Sequence, residues 1–317
     1  MNRPTRVWLV LLTCLPVAAC GTKQYRLDIT GAGQALSRVT SDEVDELRPA
    51  VSPDGGTLLF DAEGDDERTI VSVDPSSGAR RTIYTATTSA SQEVAWSPEG
   101  DWFAYTTNAP GTWSLVRSMS RSPNSAVAVL VSGEVAPNIS NPSVSPDGNR
   151  VAFATLIRDR WQIATAYTDG SNFTLLGEGM DPEWSPDGTR LVFNRRVNDW
   201  WHIYTIDAES GVEVVQITSG ETDNLHPTWS PDGEYILFSS NRGARKASKT
   251  GDDVELERLR GPFNLYAIDR EGTGLVQFTD GEGLNIDPRW GDDGWIYFAS
   301  NQVGNFDIWR LRPGQIR

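Results

Sequence analysis

Apolar residues come along this chain in paired short runs, and each pair flanks a turn of the form Ser-Pro-Asp-Gly. The first runs end in Val51, Trp96, Val144, Trp184, Trp229 and Trp290. The second alternate with period two toward an aromatic, at Phe60, Tyr105, Phe153, Phe193, Phe238 and Phe298. In the intervening turns Pro presets φ at the first central position, Asp bonds its own backbone and Gly accepts a positive φ, so each pair reads as a β-hairpin. A third strand is expected at 69–73, 114–117, 162–166, 202–206, 264–268 and 307–311, and a fourth at 82–84, 126–131, 173–176, 214–218 and 275–279.

The turns begin at Ser52, Ser97, Ser145, Ser185, Ser230 and, in degraded form, Gly291, at spacings of 45, 48, 40, 45 and 61 residues. A repeat of about 40 to 45 residues is what one four-stranded propeller blade requires. Only five fourth strands accompany the six third strands, and the sixth lies at the other end of the chain. Leu36-Ser37-Arg38-Val39-Thr40-Ser41 matches Val214-Val215-Gln216-Ile217-Thr218-Ser219 and Leu275-Val276-Gln277-Phe278-Thr279-Asp280. The expected fold is therefore all-β, a six-bladed β-propeller over 35–317 whose last blade is closed by the N-terminal strand. Closure removes a sheet edge that would otherwise pair with other chains. Apolar residues on both faces of the strands fit sheets sandwiched between neighbouring blades.

Residues 1–19 break the pattern. Arg3 and Arg6 precede an apolar run over 7–16, followed by the small-residue cleavage box Val17-Ala18-Ala19-Cys20. The run is too short to span a bilayer, which needs about 20 residues. It reads as a secretory signal of the bacterial lipoprotein kind, with Cys20 lipidated as the new N-terminus and 20–34 as a tether. Of the two cysteines, Cys14 leaves with the signal, so disulfides, thiolate catalysis and cysteine metal sites are excluded from the folded part. The whole chain carries a net charge of −15, and with Arg3 and Arg6 removed 26 basic residues face 43 acidic ones. That balance argues against nucleic acid and against electrostatic binding to anionic lipid, which leaves the acyl anchor as the attachment to the membrane. Gly21 follows the lipidated cysteine where an inner-membrane retention signal would have Asp. In a host with two membranes the expectation is the outer one, facing the periplasm.

The Trp-Ser-Pro-Asp-Gly runs at Trp184 and Trp229, the strand ends Ser240-Asn241-Arg242 and Ser300-Asn301-Gln302, and the run Phe306-Asp307-Ile308-Trp309 resemble the TolB-type propeller, a WD40-like family, over essentially all of 35–313. The resemblance implies the architecture. For function it implies a range, because such propellers serve as binding platforms, as periplasmic partners of lipoproteins and as accessory domains of peptidases. Two features depart from the pattern. TolB itself carries an N-terminal domain and is soluble in the periplasm, whereas here only a short tether separates the lipid anchor from the first strand. The second blade is also weak, with Glu99 in its turn and Val94 where the other repeats have Pro.

The residue before that recurring Pro is polar in all six repeats: Arg48, Glu93, Asn141, Asp181, His226 and Asp287. In a propeller these positions surround the axis at one mouth of the central channel. Carboxylates interleaved with Arg, Asn and His could hold a cation such as calcium, an amine or a partner's basic side chain. The plainer reading is that such residues stand on solvated loops. An insertion of about 18 residues between Asn241 and Pro262, basic at first and then acidic, belongs to the same face and reads as a solvated excursion or an arm that touches a partner. The turn residues Asp54, Asp147, Asp187, Asp232 and Asp293 are read as turn formers. Trp113, Trp161, Trp201, Phe263 and Phe306 are read as packing between blades.

Catalytic signatures such as a Gly-x-Ser-x-Gly elbow, a His-Glu-x-x-His helix, a phosphate loop or an EF-hand loop are missing from the sequence. The two histidines, His202 and His226, cannot make a histidine-rich metal site by themselves. The expected function is that of a non-enzymatic, monomeric, lipid-anchored platform, without a cofactor, that binds an envelope protein or a small ligand. The alternative is a propeller enzyme, a polysaccharide lyase or hydrolase, with a channel site on Glu93, Asp181, His226 and Asp287.

Overall fold

The computed structural model describes residues 27–28, 36–64, 68–84, 91–109, 111–123, 128–243, 259 and 261–315, and every helix or strand element within them is a β-strand. The signal segment, Cys20 and most of the insertion lie outside the described residues. Two short strands come first, β1 (Leu27–Asp28) and β2 (Ser37–Arg38). Blade one is β3 (Asp45–Val51), β4 (Leu58–Glu63), β5 (Arg68–Val73) and β6 (Arg80–Tyr84); blade two is β7 (Ser91–Trp96), β8 (Trp102–Thr107), β9 (Ser114–Met119) and β10 (Ala128–Val131). Blade three is β11 (Ser140–Val144), β12 (Arg150–Ile157), β13 (Arg160–Tyr167) and β14 (Thr174–Glu178); blade four is β15 (Met180–Trp184), β16 (Arg190–Val197), β17 (Trp200–Asp207) and β18 (Val215–Gln216). Blade five is β19 (Asn224–Trp229), β20 (Tyr235–Ser240), β21 (Asn264–Asp269) and β22 (Val276–Gln277). Blade six begins with β23 (Asn285–Trp290), β24 (Ile296–Ser300) and β25 (Asp307–Leu311), after which β26 (Gly314–Gln315) follows.

Each blade is an antiparallel four-stranded sheet, and the sixth has the order β2-β25-β24-β23, with Ser37 opposite Arg310 and Arg38 opposite Trp309. The N-terminal strand thus completes the last blade as expected. A shared hydrogen bond explains why the three fourth-strand sequences match. The hydroxyls of Thr218, Thr279 and Thr40 accept from the main-chain N–H of Ile203, Leu265 and Ile308 at 2.8, 2.9 and 2.8 Å. Closure is reinforced where Arg38 Nη2 meets the fully buried carboxylate of Asp307 at 2.6 Å.

The turns do more than reverse the chain. In blades one, three, four and five the Ser hydroxyl donates to the turn Asp at 2.5–2.6 Å. Blade two, with Glu99 in that place, turns Ser97 to Asp101 instead, at 3.0 Å. Gly100, Gly148, Gly188 and Gly233, with φ of 69 to 71°, each face the turn proline of the preceding blade, respectively Pro53, Pro98, Pro146 and Pro186. The repeat therefore encodes contacts between blades as well as the hairpin.

Apolar clusters fill the spaces between blades. Ala50, Leu59 and Ile70 of blade one meet Val94, Phe103 and Tyr105 of blade two, and Val192, Ile203 and Ile217 of blade four meet Trp229, Ile236 and Phe238 of blade five. Neighbouring residues of one strand serve opposite interfaces, as Val192 and Leu191 do. A further cluster joins blades six and one and reaches around the mouth end of the channel, through Leu47, Phe60, Met180, Trp201, Phe263, Ile286 and Phe306.

Candidate functional site

The six polar residues before the recurring Pro lie on the innermost strands, each inside an irregularity of the ladder where the register to the second strand shifts. All six are left-handed: φ is 51° at Arg48, 60° at Glu93, 51° at Asn141, Asp181 and His226, and 52° at Asp287. An L-residue there costs roughly 1–2 kcal/mol, and five of the six precede a proline, which disfavours helical backbone further. A bulge re-aims its side chain, and backbone strain gathered at one place marks a site held by its surroundings.

The six side chains meet on the axis. They line a funnel of 840 Å³ that opens at the mouth, whose wall includes Trp113, Trp161, Met180 and Leu259. The same six surround a void of 30 Å³ together with Val94, Pro142 and Arg289. Val94, Pro142 and Arg289 also border a cavity of 230 Å³ on the turn side. The ring is thus a constriction inside the channel, and the reading of these residues as ordinary solvated loop positions does not hold: Glu93 is 6% exposed and the side chains of His226 and Asp287 are each 13% exposed. Trp113, expected to pack between blades, stands on the funnel wall; Trp161 lines the funnel and also packs against the core that buries Trp201, Phe263 and Phe306.

Hydrogen bonds run from blade to blade around this ring. Asp287 Oδ2 accepts from Arg48 N at 3.3 Å, both oxygens of Asp61 accept from Glu93 N at 3.0 Å, and Glu93 Oε2 accepts from Asn141 N at 2.8 Å. His226 Nδ1 lies 3.0 Å from Asp287 Oδ1. Burial works against the charge of His226, but Asp287 outweighs it and raises the imidazole above its ordinary value. Burial likewise pushes Asp287 upward, and His226 and Arg48 more than reverse the effect, holding that carboxylate well below its usual range. Arg48 also reaches Asp61 at 3.1 Å and Glu63 at 3.5 Å. Asp61, wholly buried, is pushed up to about 7 by burial despite Arg48 beside it.

Asp181 is the exception in the ring. Among the described residues no hydrogen bond reaches its Oδ2, which is shielded from solvent. Burial raises its carboxyl above the ordinary value, with the positive charge of His226 opposing. In the same blade Asn194, opposite Met180 in register and fully buried, has neither side-chain atom paired among the described residues. By register Asn194 occupies the place that Asp61 fills in blade one. Blade four thus leaves open the polar capacity that Asp61 uses in blade one.

Residues 136–247, spanning blades three and four and the first hairpin of blade five, match the family model described as the TolB beta propeller domain. A putative TolB from Agrobacterium tumefaciens superposes with a TM-score of 0.59, at 22% identity, over 75% of this chain and 86% of that one. Over 136–247 the propeller is similar to the TolB beta propeller domain. An oligogalacturonate lyase from Vibrio parahaemolyticus shares the fold too, with a TM-score of 0.58 at 13% identity over 87% of this chain and 93% of its own. An uncharacterized protein of Agrobacterium fabrum is 41% identical over 51 residues, which is 16% of this chain and only 17% of that protein.

In this channel the sequence pattern located all six ring residues and missed their supports. Asp61 had left a signal, since it is a charged residue continuing the apolar run Leu58-Leu59-Phe60. Glu183 and Arg289, 3.4 Å apart on the turn side of the ring, had left none. The 242–261 insertion lies mostly outside the described residues, but Leu259 at its end is 6% exposed and belongs to both the core cluster and the funnel wall.

Proposed function

We propose that this TolB-type propeller is a lipid-anchored, extracytoplasmic binding platform that performs no chemistry. In this reading the funnel receives a segment of another envelope protein, and Asp181 accepts the ammonium or guanidinium group of that segment. The observation that carries it is the solvent-shielded Asp181 Oδ2 without a donor, since a buried carboxylate oxygen left unpaired is costly and a charged donor relieves that cost. The wall suits the same guest. Trp113, Trp161 and Met180 offer apolar and aromatic surface to the stem and charge of a Lys or Arg side chain.

The test is a photo-crosslinking amino acid placed at Trp113 in intact cells, with and without Asp181→Asn. The proposal expects an adduct with one envelope protein that the substitution removes while the protein remains folded. An adduct indifferent to Asp181→Asn sinks the role given to that residue. The enzyme alternative has one supporting feature, the His226–Asp287 pair, but Glu93 and Asp287 already accept main-chain N–H groups. Turnover of oligogalacturonate by purified protein, abolished in His226→Gln, would replace the platform reading. A melting shift with calcium or sugars, in place of an adduct, would direct it to a small ligand.

A further inference from the structure

We infer that, held by Cys20, the propeller stands with its Ser-Pro-Asp-Gly turn face toward the membrane and its funnel pointing away from it. This goes beyond the binding function and rests on the lipoprotein reading of Cys20. The deciding feature is the small sheet outside the blades, in which Leu27 pairs with Gln315 and Asp28 with Gly314. β25 runs from the mouth, where Asp307 faces Ser300, to the turn end, where Leu311 faces Ile296. Immediately beyond it, Arg312 Nη2 lies 3.3 Å from the carbonyl oxygen of Asp293, in the sixth turn. Gly314 is two residues further on, so its partners Leu27 and Asp28 lie at the turn face.

Chain length then limits the arrangement. The seven steps from Cys20 to Leu27 span at most about 25 Å when fully extended. The first three strands of each blade, five to eight residues long, make the propeller roughly 17–25 Å tall, so a tether starting at the turn face has little slack left with which to turn the mouth toward the bilayer.

Surface composition points the same way. Among the described residues eleven large apolar side chains are exposed, and seven of them, Leu36, Met119, Tyr167, Val212, Val214, Val215 and Leu275, stand at the turn-side ends of third and fourth strands or the connections between them. Beside the turn carboxylates, these apolar side chains suit the headgroup region. At the mouth the corresponding exposed residues are Val135 and Val303. A partner of the funnel therefore approaches from the aqueous compartment.

The experiment uses the full-length lipidated protein in liposomes that contain a lipid-borne quencher, with one fluorophore on Glu271→Cys at the turn face or on Val303→Cys at the mouth. We expect emission to be lost from the Glu271 position and kept at Val303. Quenching at Val303 equal to or stronger than at Glu271 overturns the orientation. A Cys20→Ser protein that stays bound to membranes, or a wild type that does not bind them, overturns the anchor and this inference together. Failure of the Trp113 adduct with the quenching pattern intact removes the proposed function alone.

Discussion

A buried carboxyl oxygen without a donor among the described residues, such as Asp181 Oδ2, costs roughly 1–3 kcal/mol. Asp181→Asn removes the charge and keeps a residue that tolerates left-handed backbone. We expect the variant to melt about 2–4 °C above the wild type near neutral pH, the shift that about 1 kcal/mol gives in a domain of this size. The sign follows from the raised carboxyl of Asp181: its contribution is fully present below 3.8 and is lost as pH rises through the raised value. The advantage of the Asn variant should therefore be small at pH 4 and grow toward neutrality, and a wild type more stable than the variant at neutral pH contradicts it. His226, also raised, stabilises fully below 6.5 and loses that contribution as pH rises through its folded value. Urea midpoints should fall with pH above 6.5 more steeply for the wild type than for His226→Gln. None of the left-handed ring backbone was legible in the sequence, because the rule for residues before proline points to extended backbone. The strain is imposed by the bulge and its neighbours.

Strand positions and the hairpin turns were legible, because Pro, Asp and Gly act on the four residues of the turn itself. What the turn touches was not. Gly55 (φ 71°) lies against Asp293 of blade six, where a Cβ would come within 2.8 Å of Asp293 Cβ, whereas at Gly188, with the same φ, it would stand 3.7 Å from Pro146. Gly188→Ala should cost the backbone term alone, about 1–2 kcal/mol. Gly55→Ala should cost more, because something must also shift. Denaturant unfolding of the two variants compares them directly, and equal losses would show that blade six yields freely. The weak second blade illustrates the same point: its Glu99 turn survives because Asp101, two residues later, takes over the bond from Ser97.

Closure governs the molecule as a whole. The N-terminal strand joins blade six through two residues of ladder, the Thr40 bond and the Arg38–Asp307 pair. Arg38→Ala leaves the Asp307 carboxylate buried without its charge partner. Its cost is expected at about 1–3 kcal/mol, since Arg38 is itself a third exposed, and adding Asp307→Asn should recover part of it. A double-mutant cycle by urea unfolding measures this, and purely additive losses would deny the pair a role in closure. In the insertion, deletion of 244–258 should spare stability. Leu259→Ala should cost about 2 kcal/mol or more, because Leu259 is packed in the core.

Repeat number, strand order, the closing segment and the identity of all six ring residues were determined by the sequence. Each follows from period, turn chemistry or matching segments, which are local properties repeated along the chain. Only the tertiary structure decided that the ring is a buried constriction, that Asp61 supports it from a second strand, and that Asp181 Oδ2 and the Asn194 amide have no partner among the described residues. It alone also decided that Leu27 and Asp28 pair with Gln315 and Gly314 outside the blades. These depend on which side chains converge from different blades and on pairing between the two ends of the chain, which no local pattern records.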